Sequence, residues 1–529
     1  MAAKISGSLV VVLFPILFAL TFPVEAKNVI PAGLSSCNDT AATGSCIDPK
    51  KLSLSLNIIP QLLDFILQNL HTALEDSEKL NFVFQSLGVS GIVEKQRGTV
   101  QDCKELHQIT ISSLQKAESI IKSGDSSKLA DARTHLSAAL TNRATCFEGL
   151  QTSSGSSKSV IMGLLNSVGD SVLASLSKLP ASPIIRRRRR LLEYPAWISG
   201  KDRRILEGYK LHDDDEGGVI TVAKDGSGNF TTISDAIDFA PSNSFNRVFI
   251  YIKAGTYEEN VEIPKSKTNI VLLGDGNDAT FITGGRSVGD GWTTFRSATL
   301  AVSGDGFLAR GLWIENTAGP EKHQAVALRV SGDLIALYRC SIYGFQDTLY
   351  VHSFRQFYRE CDVYGTIDYI FGNAAAVFQA SNVISLMPMA GQFVTVTAQS
   401  RESPDENTGI SIQNCSILAS EELYNNSGSV RSYLGRPWKP YARTVVIESY
   451  IDGFVDPRGW VEWDADQSVD NLYYGEYGND GPGADTSGRV SWLGFHLMGY
   501  DEANNFSVPN FISSDEWLDS TSFPYDQGI

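Results

Sequence analysis

Between Ser53 and Leu179 apolar residues recur at three- and four-residue spacing, as at Leu62, Leu63, Ile66, Leu67 and Leu70 and again from Leu129 to Leu140. That spacing lays one apolar stripe along each segment, so the chain there reads as amphipathic helix. About four such segments with short polar links predict an antiparallel bundle. From Gly217 onward the period changes. Short runs, Arg247 to Ile252, Asn269 to Leu273, Ala325 to Val330, Leu334 to Ile342, Phe393 to Ala398 and Thr444 to Ile451, are broken by Gly, Asn and Asp, which predicts strands separated by turns. Long helical patterns are nearly absent among them. A doubly wound sheet or an α/β barrel needs a helix between successive parallel strands, so neither fits.

Two stretches repeat each other at a constant offset of 21 residues: Tyr338-Arg339-Cys340 through Tyr343-Gly344 to Asp347, and Arg359-Glu360-Cys361 through Tyr364-Gly365 to Asp368. Self-similarity at about this period in strand-rich sequence marks a solenoid, and the expected fold is a right-handed parallel β-helix in which one repeat is one rung. Rungs stack about 4.8 Å apart. Cys340 is then expected over Cys361, as a disulfide, and Asp347 over Asp368. Two ionised carboxylates about 5 Å apart repel by roughly 3 kcal/mol at an effective dielectric near 20. One of them should therefore keep a proton that the other lacks, the arrangement that acid/base and nucleophilic catalysis require.

The length of 529 residues and the 42% hydrophobic content suit two or three domains. Lys4, the apolar run from Leu9 to Phe22 and the small residues at Val24-Glu25-Ala26 read as a secretory signal over 1–26, so a secreted, extracellular protein with no membrane association after signal removal is expected. Seven cysteines in that compartment imply disulfides with one thiol left over. The expected pairs are Cys37–Cys46, Cys103–Cys146 and Cys340–Cys361, leaving Cys415 as a buried thiol. Sequons stand at Asn38, Asn229, Asn414, Asn425 and Asn505, and the strand around Asn414 is expected to bury that one. The histidines at 71, 107 and 135 have no metal-ligand spacing and are expected at surfaces or interfaces.

Arg186 to Arg190 and Arg203-Arg204 would suggest nucleic-acid contact in a cytosolic protein. Behind a signal peptide they read instead as protease sites in an exposed linker, with cleavage after Arg190 or Arg204. The expected organisation is a signal at 1–26, a helical-bundle pro-region at 27–182, a basic linker at 183–206 and a β-helix domain at 207–529. From Glu207 to the end 21 Lys and Arg face 43 Asp and Glu, a balance of −22 within an overall −16. Attraction to a net-positive remainder is expected to help hold the pro-region over the groove.

Around the aspartate pair stand Gln324-Ala325-Val326-Ala327-Leu328-Arg329, Gly344-Phe345-Gln346-Asp347-Thr348-Leu349 and Asp368-Tyr369-Ile370-Phe371-Gly372. Leu434-Gly435-Arg436-Pro437-Trp438 follows, and Gly255-Thr256-Tyr257-Glu258-Glu259 precedes them. All five, in this order and spacing, resemble the signature segments of plant pectin methylesterases, and the helical part resembles the pectin methylesterase inhibitor domain. The resemblance implies a carboxylic ester hydrolase that removes methyl esters from methyl-esterified pectin. Asp368 would be the nucleophile, Asp347 the acid/base, and Gln346 and Gln324 the oxyanion donors. Arg436 would hold Asp368, Trp438 would give a sugar ring an apolar platform, and Thr294 would contact substrate. The implied partners are pectin, proteinaceous pectin methylesterase inhibitors and a processing subtilisin-like protease; the mature form is expected as a monomer, with no cofactor, metal or nucleic acid.

Three rival readings remain in view. Paired carboxylates on a secreted β-helix also suit a glycoside hydrolase such as a polygalacturonase, but that family's Asn-Thr-Asp and Gly-His-Gly segments are missing. Gly285-Arg286-Ser287-Val288-Gly289 matches a nucleophile elbow, yet Asp290-Gly291-Trp292 follows where that motif needs a helix. A secreted inhibitor or wall-binding protein would rest on the bundle alone.

Overall fold

The structure, a computed structural model, describes residues 60–88, 91–180 and 218–529. The signal segment, Cys37, Cys46, Asn38 and both basic sites at Arg190 and Arg204 lie outside the described residues.

Among the described residues four helices come first: α1 Pro60–Gln85, α2 Thr99–Ser123, α3 Leu129–Gln151 and α4 Lys158–Leu176. On α1, Ile66, Leu70, Ala73 and Leu80 point inward, the stripe anticipated from the spacing. Gly124 closes α2 in the left-handed region at φ 67°, a conformation glycine adopts without a Cβ clash. α3 is buried almost all round, with Leu136, Ala139 and Leu140 in the bundle core and Thr134, Ser137 and Thr141 facing the β-helix. α4 is 19 residues long with a mean hydropathy of 1.4, apolar enough to cross a membrane by length and composition; here it packs against α1 and α3. The bundle carries a disulfide between Cys103 and Cys146, which ties α2 to α3. Of the bundle histidines, His71 is exposed, whereas His107 is interior, its ring on the Ser77 carbonyl, and His135 packs on Phe354 of the β-helix.

From Val219 onward three parallel sheets of 11, 7 and 8 strands wind around a common core. Each turn of the chain gives one strand to each sheet, which is a parallel β-helix. Leu300, Leu328, Leu349 and Ile370 stack in register and are fully buried. Such columns supply the burial that stabilises the coil, at about 25 cal/mol per Å². Short helices after Tyr500 close the outer face of the 11-stranded sheet, where Val508, Ile512 and Leu518 cover Phe357 and Val377.

Two runs expected as single strands are broken. Leu334 to Ile342 splits into Ile335–Tyr338 and Ser341–Tyr343, and Thr444 to Ile451 into Arg443–Ile447 and Tyr450–Ile451. Arg339 and Glu448, at φ 53° and 46°, turn the chain from one sheet to the next. Glu360, Ala380 and Asn414 make the same turn at φ 50°, 50° and 49°, which leaves Asn414 exposed to solvent and not inside a strand.

The same corner corrects the expected Cys340–Cys361 disulfide. Both residues, and Cys415, are buried free thiols. Cys340, Cys361, Ser381, Cys415 and Ser449 each follow one of those left-handed residues and form a small-residue ladder. The Cys361 N–H donates to Ser381 Oγ at 3.1 Å, the Ser381 N–H to Cys415 Sγ at 3.4 Å, and the Cys415 N–H to Ser449 Oγ at 3.1 Å. In-register parallel rungs aim these side chains side by side at the rung spacing of about 4.8 Å, wider than the Cβ separation near 3.8 Å that a disulfide favours. The 21-residue repeat thus marks a turn that needs a small polar side chain, not a cross-link.

Candidate active site

Register places Leu349 beside Ile370 and Tyr350 beside Phe371, so Asp347 and Asp368 occupy equivalent positions on neighbouring rungs, at the entry to the seven-stranded sheet. Both sit in the left-handed region, at φ 63° and 53°. Non-glycine residues held there cost of order 1 kcal/mol or more and concentrate at functional sites. The Asp347 N–H donates to the Ile367 carbonyl at 3.0 Å.

Three side-chain hydrogen bonds from two residues hold the Asp368 carboxyl. Arg436 donates from Nε at 2.8 Å and from a terminal nitrogen at 2.6 Å, one bond to each carboxylate oxygen. The Thr395 hydroxyl donates to Oδ1 at 2.7 Å. A two-pronged, charge-assisted contact of this kind fixes the orientation of the carboxyl group. Asp347 has no such support. Burial, and then the charge of Asp368, push its carboxyl well above the usual range, with Arg436 pulling weakly the other way. The two carboxyls thus differ in surroundings: Asp368 is bonded on both oxygens, and Asp347 is raised by burial and by its neighbour.

A cavity of about 310 Å³ opens over the pair, and Gln324, Gln346, Thr294, Arg436 and Trp438 all border it. The structure thus brings together every residue singled out for the site. It adds several the motifs did not flag. Tyr350 and Phe371 stack at 4.2 Å and form the floor; their positions share the 21-residue offset and could have been found by extending it three residues. Trp463 stacks on Trp438 at 6.3 Å and lies 4.2 Å from the Arg436 guanidinium, with no repeat to announce it. Thr395 was visible only as one alternate position in a strand. Ser287, the elbow candidate, is fully buried and bonds Asp290 at 2.8 Å within its own turn, which removes it as a nucleophile.

One wall of the cavity belongs to the bundle: Gln96 just before α2, Thr99 and Asp102 at its start, and Thr145, Cys146 and Glu148 from α3. Around it the two parts are joined closely. The Arg97 N–H donates to the Gly291 carbonyl at 2.7 Å, and the Thr293 N–H returns to Arg97 at 3.2 Å. Glu148 pairs with Lys439 at 2.5 Å, Asp131 with Arg355 at 2.7 Å, and Thr145 Oγ1 lies 3.0 Å from His352 Nε2. Cys103, Leu106 and Cys146 share one apolar cluster with Phe295, Val326 and Phe371.

A parallel β-helix with paired aspartates and an aromatic-lined cavity defines a class of carbohydrate-active enzyme, and comparison narrows it. Residues 219–515 match the family model described as pectinesterase, and residues 35–178 that of the plant invertase/pectin methylesterase inhibitor. The chain is 56% identical to probable pectinesterase/pectinesterase inhibitor 12 of Arabidopsis thaliana across 99% of its length and 98% of that protein. It is 44% identical to pectinesterase/pectinesterase inhibitor 18 of the same plant, across 81% and 78%. Among solved structures, pectin methylesterase from carrot superposes with a TM-score of 0.59 at 50% identity, covering 60% of this chain and all of that one. The chain belongs to the pectinesterase family and joins an inhibitor-type bundle to a pectinesterase β-helix.

Proposed function

We propose that the domain from about Glu207 hydrolyses the C6 methyl esters of pectin with Asp368 as nucleophile. The carboxylate attacks the ester carbonyl, and the oxyanion is stabilised by side-chain N–H groups of Gln346 and Gln324, a role worth about 3 kcal/mol per donor in comparable sites. As the tetrahedral species collapses, the C–O bond to methoxide breaks and Asp347 delivers its proton, so methanol leaves. The acyl-enzyme is an anhydride between Asp368 and the uronate. Asp347, now a carboxylate, takes a proton from water, the hydroxide attacks the uronate carbonyl, and free acid and Asp368 are regenerated. Thr294 contacts the sugar and Trp438 carries its ring. The observation that carries this reading is the division of the pair: Asp368 fixed by Arg436 and Thr395, Asp347 pushed towards its protonated form.

The bundle is the inhibitor of its own enzyme in this reading, because it walls in the cavity above the pair that a polymer must enter. Cleavage after Arg190 or Arg204 by a subtilisin-like protease in the secretory route would release an extracellular, monomeric wall enzyme. Separate inhibitor proteins would then bind where the bundle sat. The test is methanol release from methylated pectin before and after the linker is cut. Chain cleavage without methanol would favour the hydrolase reading, and activity equal before and after cutting would refute the inhibitory role.

A further inference from the structure

Arg296 and Arg329 stand beside the catalytic cavity in a setting that the ester chemistry does not use. Arg329 belongs to the outward row Ala301, Arg329, Tyr350 and Phe371, one residue per rung. It is therefore one rung from the position of Asp347 and two from that of Asp368, roughly 5 and 10 Å along the axis. Its guanidinium lies 3.5 Å from the Phe295 ring, its side chain is 1% exposed, and its buried Nε has no partner.

In the closed chain α2 brings two carboxylates to this corner: Asp102, which takes Arg296 Nε at 2.8 Å, and Glu105, which both arginines face. One Glu105 oxygen takes the Ser303 hydroxyl at 2.8 Å and Arg329 at 3.5 Å, and the other takes Arg296 at 2.7 Å. All three donors come from the β-helix. Burial alone would raise the Glu105 pKa, but Arg329 and Arg296 outweigh it and bring it down to about 2. Once the bundle leaves, the corner keeps two guanidiniums against one acid of its own, Glu262, 3.3 Å from Arg296. With the bundle gone these guanidiniums face solvent with one charge more than the corner balances, and their paired N–H donors favour a carboxylate in its place.

We propose that Arg296, Arg329 and Ser303 form a carboxylate receptor of the substrate groove, which takes the free carboxylate of a de-esterified galacturonate about two rungs from the reacting ester and which Glu105 occupies in the precursor. The receptor rests on the pectinesterase reading for its substrate and goes beyond it in naming what flanks the reacting ester. Successive sugars of an extended polyuronate chain advance by about one rung, so a single chain reaches both places. Esters near an already de-esterified residue are then preferred.

The test uses the full chain with a cleavable sequence in place of 186–190, cut and freed of the bundle. Methanol release is measured on a fully methyl-esterified hexagalacturonate and on one carrying free carboxylates, and read as the ratio of kcat/KM between them. The free enzyme should favour the partly de-esterified oligomer. Arg296→Gln should lower that ratio about tenfold and Arg296→Lys by less, because the ammonium keeps charge but loses the fork. Ser303→Ala, which removes only a hydroxyl, should lower it about threefold and keeps the test alive if the arginine variants misfold. A ratio identical in all four proteins overturns the receptor and leaves these residues a docking role only. Absence of methanol from both oligomers would refute the esterase reading instead. Calorimetry with unesterified hexagalacturonate then decides: binding at least tenfold weaker in Arg296→Gln supports the receptor, and equal binding overturns it.

Discussion

Replacing Glu105 by Gln in an uncleavable chain should switch on activity without any proteolysis. The substitution keeps shape and one acceptor but removes the charge that Arg329, 1% exposed, and Arg296 both face. Breaking a buried pair by removing one partner costs about 3–5 kcal/mol, since the remaining charge stays desolvated. Arg296 keeps Asp102 at 2.8 Å and Glu262 at 3.3 Å, which places the loss near the lower end. About 3 kcal/mol is roughly a hundredfold in the equilibrium between closed and open bundle, at 1.36 kcal/mol per decade. The open state bears none of this cost because its arginines are solvated. With both basic sites replaced so that the chain stays whole, methanol release by the parent should be near background and that of Glu105→Gln should rise by up to two orders of magnitude. Glu75→Gln, which loses only an exposed contact to His71 on α1, should change nothing. Equal rates in the parent and Glu105→Gln, with both folded, would refute the reasoning.

Asp368→Asn should lower methanol release by the cut enzyme at least a thousandfold while the thermal midpoint holds, because Asn tolerates the φ of 53° and still accepts from Arg436; near-normal turnover would remove Asp368 as nucleophile. Cys340→Ser with Cys361→Ser should shift stability by no more than about 1 kcal/mol, since Ser381 and Ser449 already fill that ladder position, whereas loss of a disulfide would cost about 2–5 kcal/mol; thiol alkylation of the denatured, unreduced protein should label 340, 361 and 415. Burial holds His352 neutral and brings its pKa down to about 3, below an unfolded value near 6.5. Its depressed pKa makes stability complete above pH 6.5 and progressively lost as pH falls from there towards 3, up to about 2 kcal/mol by pH 5. Denaturant titrations of the full chain at pH 7 and pH 5 should therefore lie closer together for His352→Gln than for the parent, and an unchanged gap would show that His352 is already charged.

The stripe on α1 was readable because only one of its faces is buried. α3 gave a weaker signal for the opposite reason, with Leu136 turned to the bundle and Thr141 bonded to Asn373 of the β-helix. In the β-helix, neighbouring rungs keep the 21-residue offset only where no loop intervenes, at Ser341 beside Asp362 and Leu349 beside Ile370. Asp362 still pairs with Asn382 at nearly the same step, but the pairings of Ile370 with Thr397 and of Asn382 with Ser416 are stretched by insertions that hide the repeat. Those two undisturbed rungs carry the aspartates, so the candidate site was legible where the solenoid was most regular. Arg296 and Trp463 were not, because each enters the groove from a connection between strands, where no periodicity marks an inward residue.

Net charge was the least instructive signal. The surplus of positive residues ahead of Glu207 lies in the linker at 183–206, and the bundle segment itself is close to neutral. Around the cavity over the aspartates the contact runs against the overall balance: the bundle offers Asp102, Glu105 and Glu148, and the acidic β-helix answers with Arg296, Arg329 and Lys439. Farther out the sense reverses, with Lys116 on Asp305 and Arg143 on Glu402. Exposed charges act over about one Debye length, roughly 8 Å at physiological salt, so the bulk of the −22 is invisible to a group inside the groove. What a docked chain meets there is a row of cations set among aromatic rings, and both the inhibitor-type bundle and a polyuronate can answer it with carboxylates. Competition for the same donors would make release of the bundle easier in the presence of de-esterified product than in its absence.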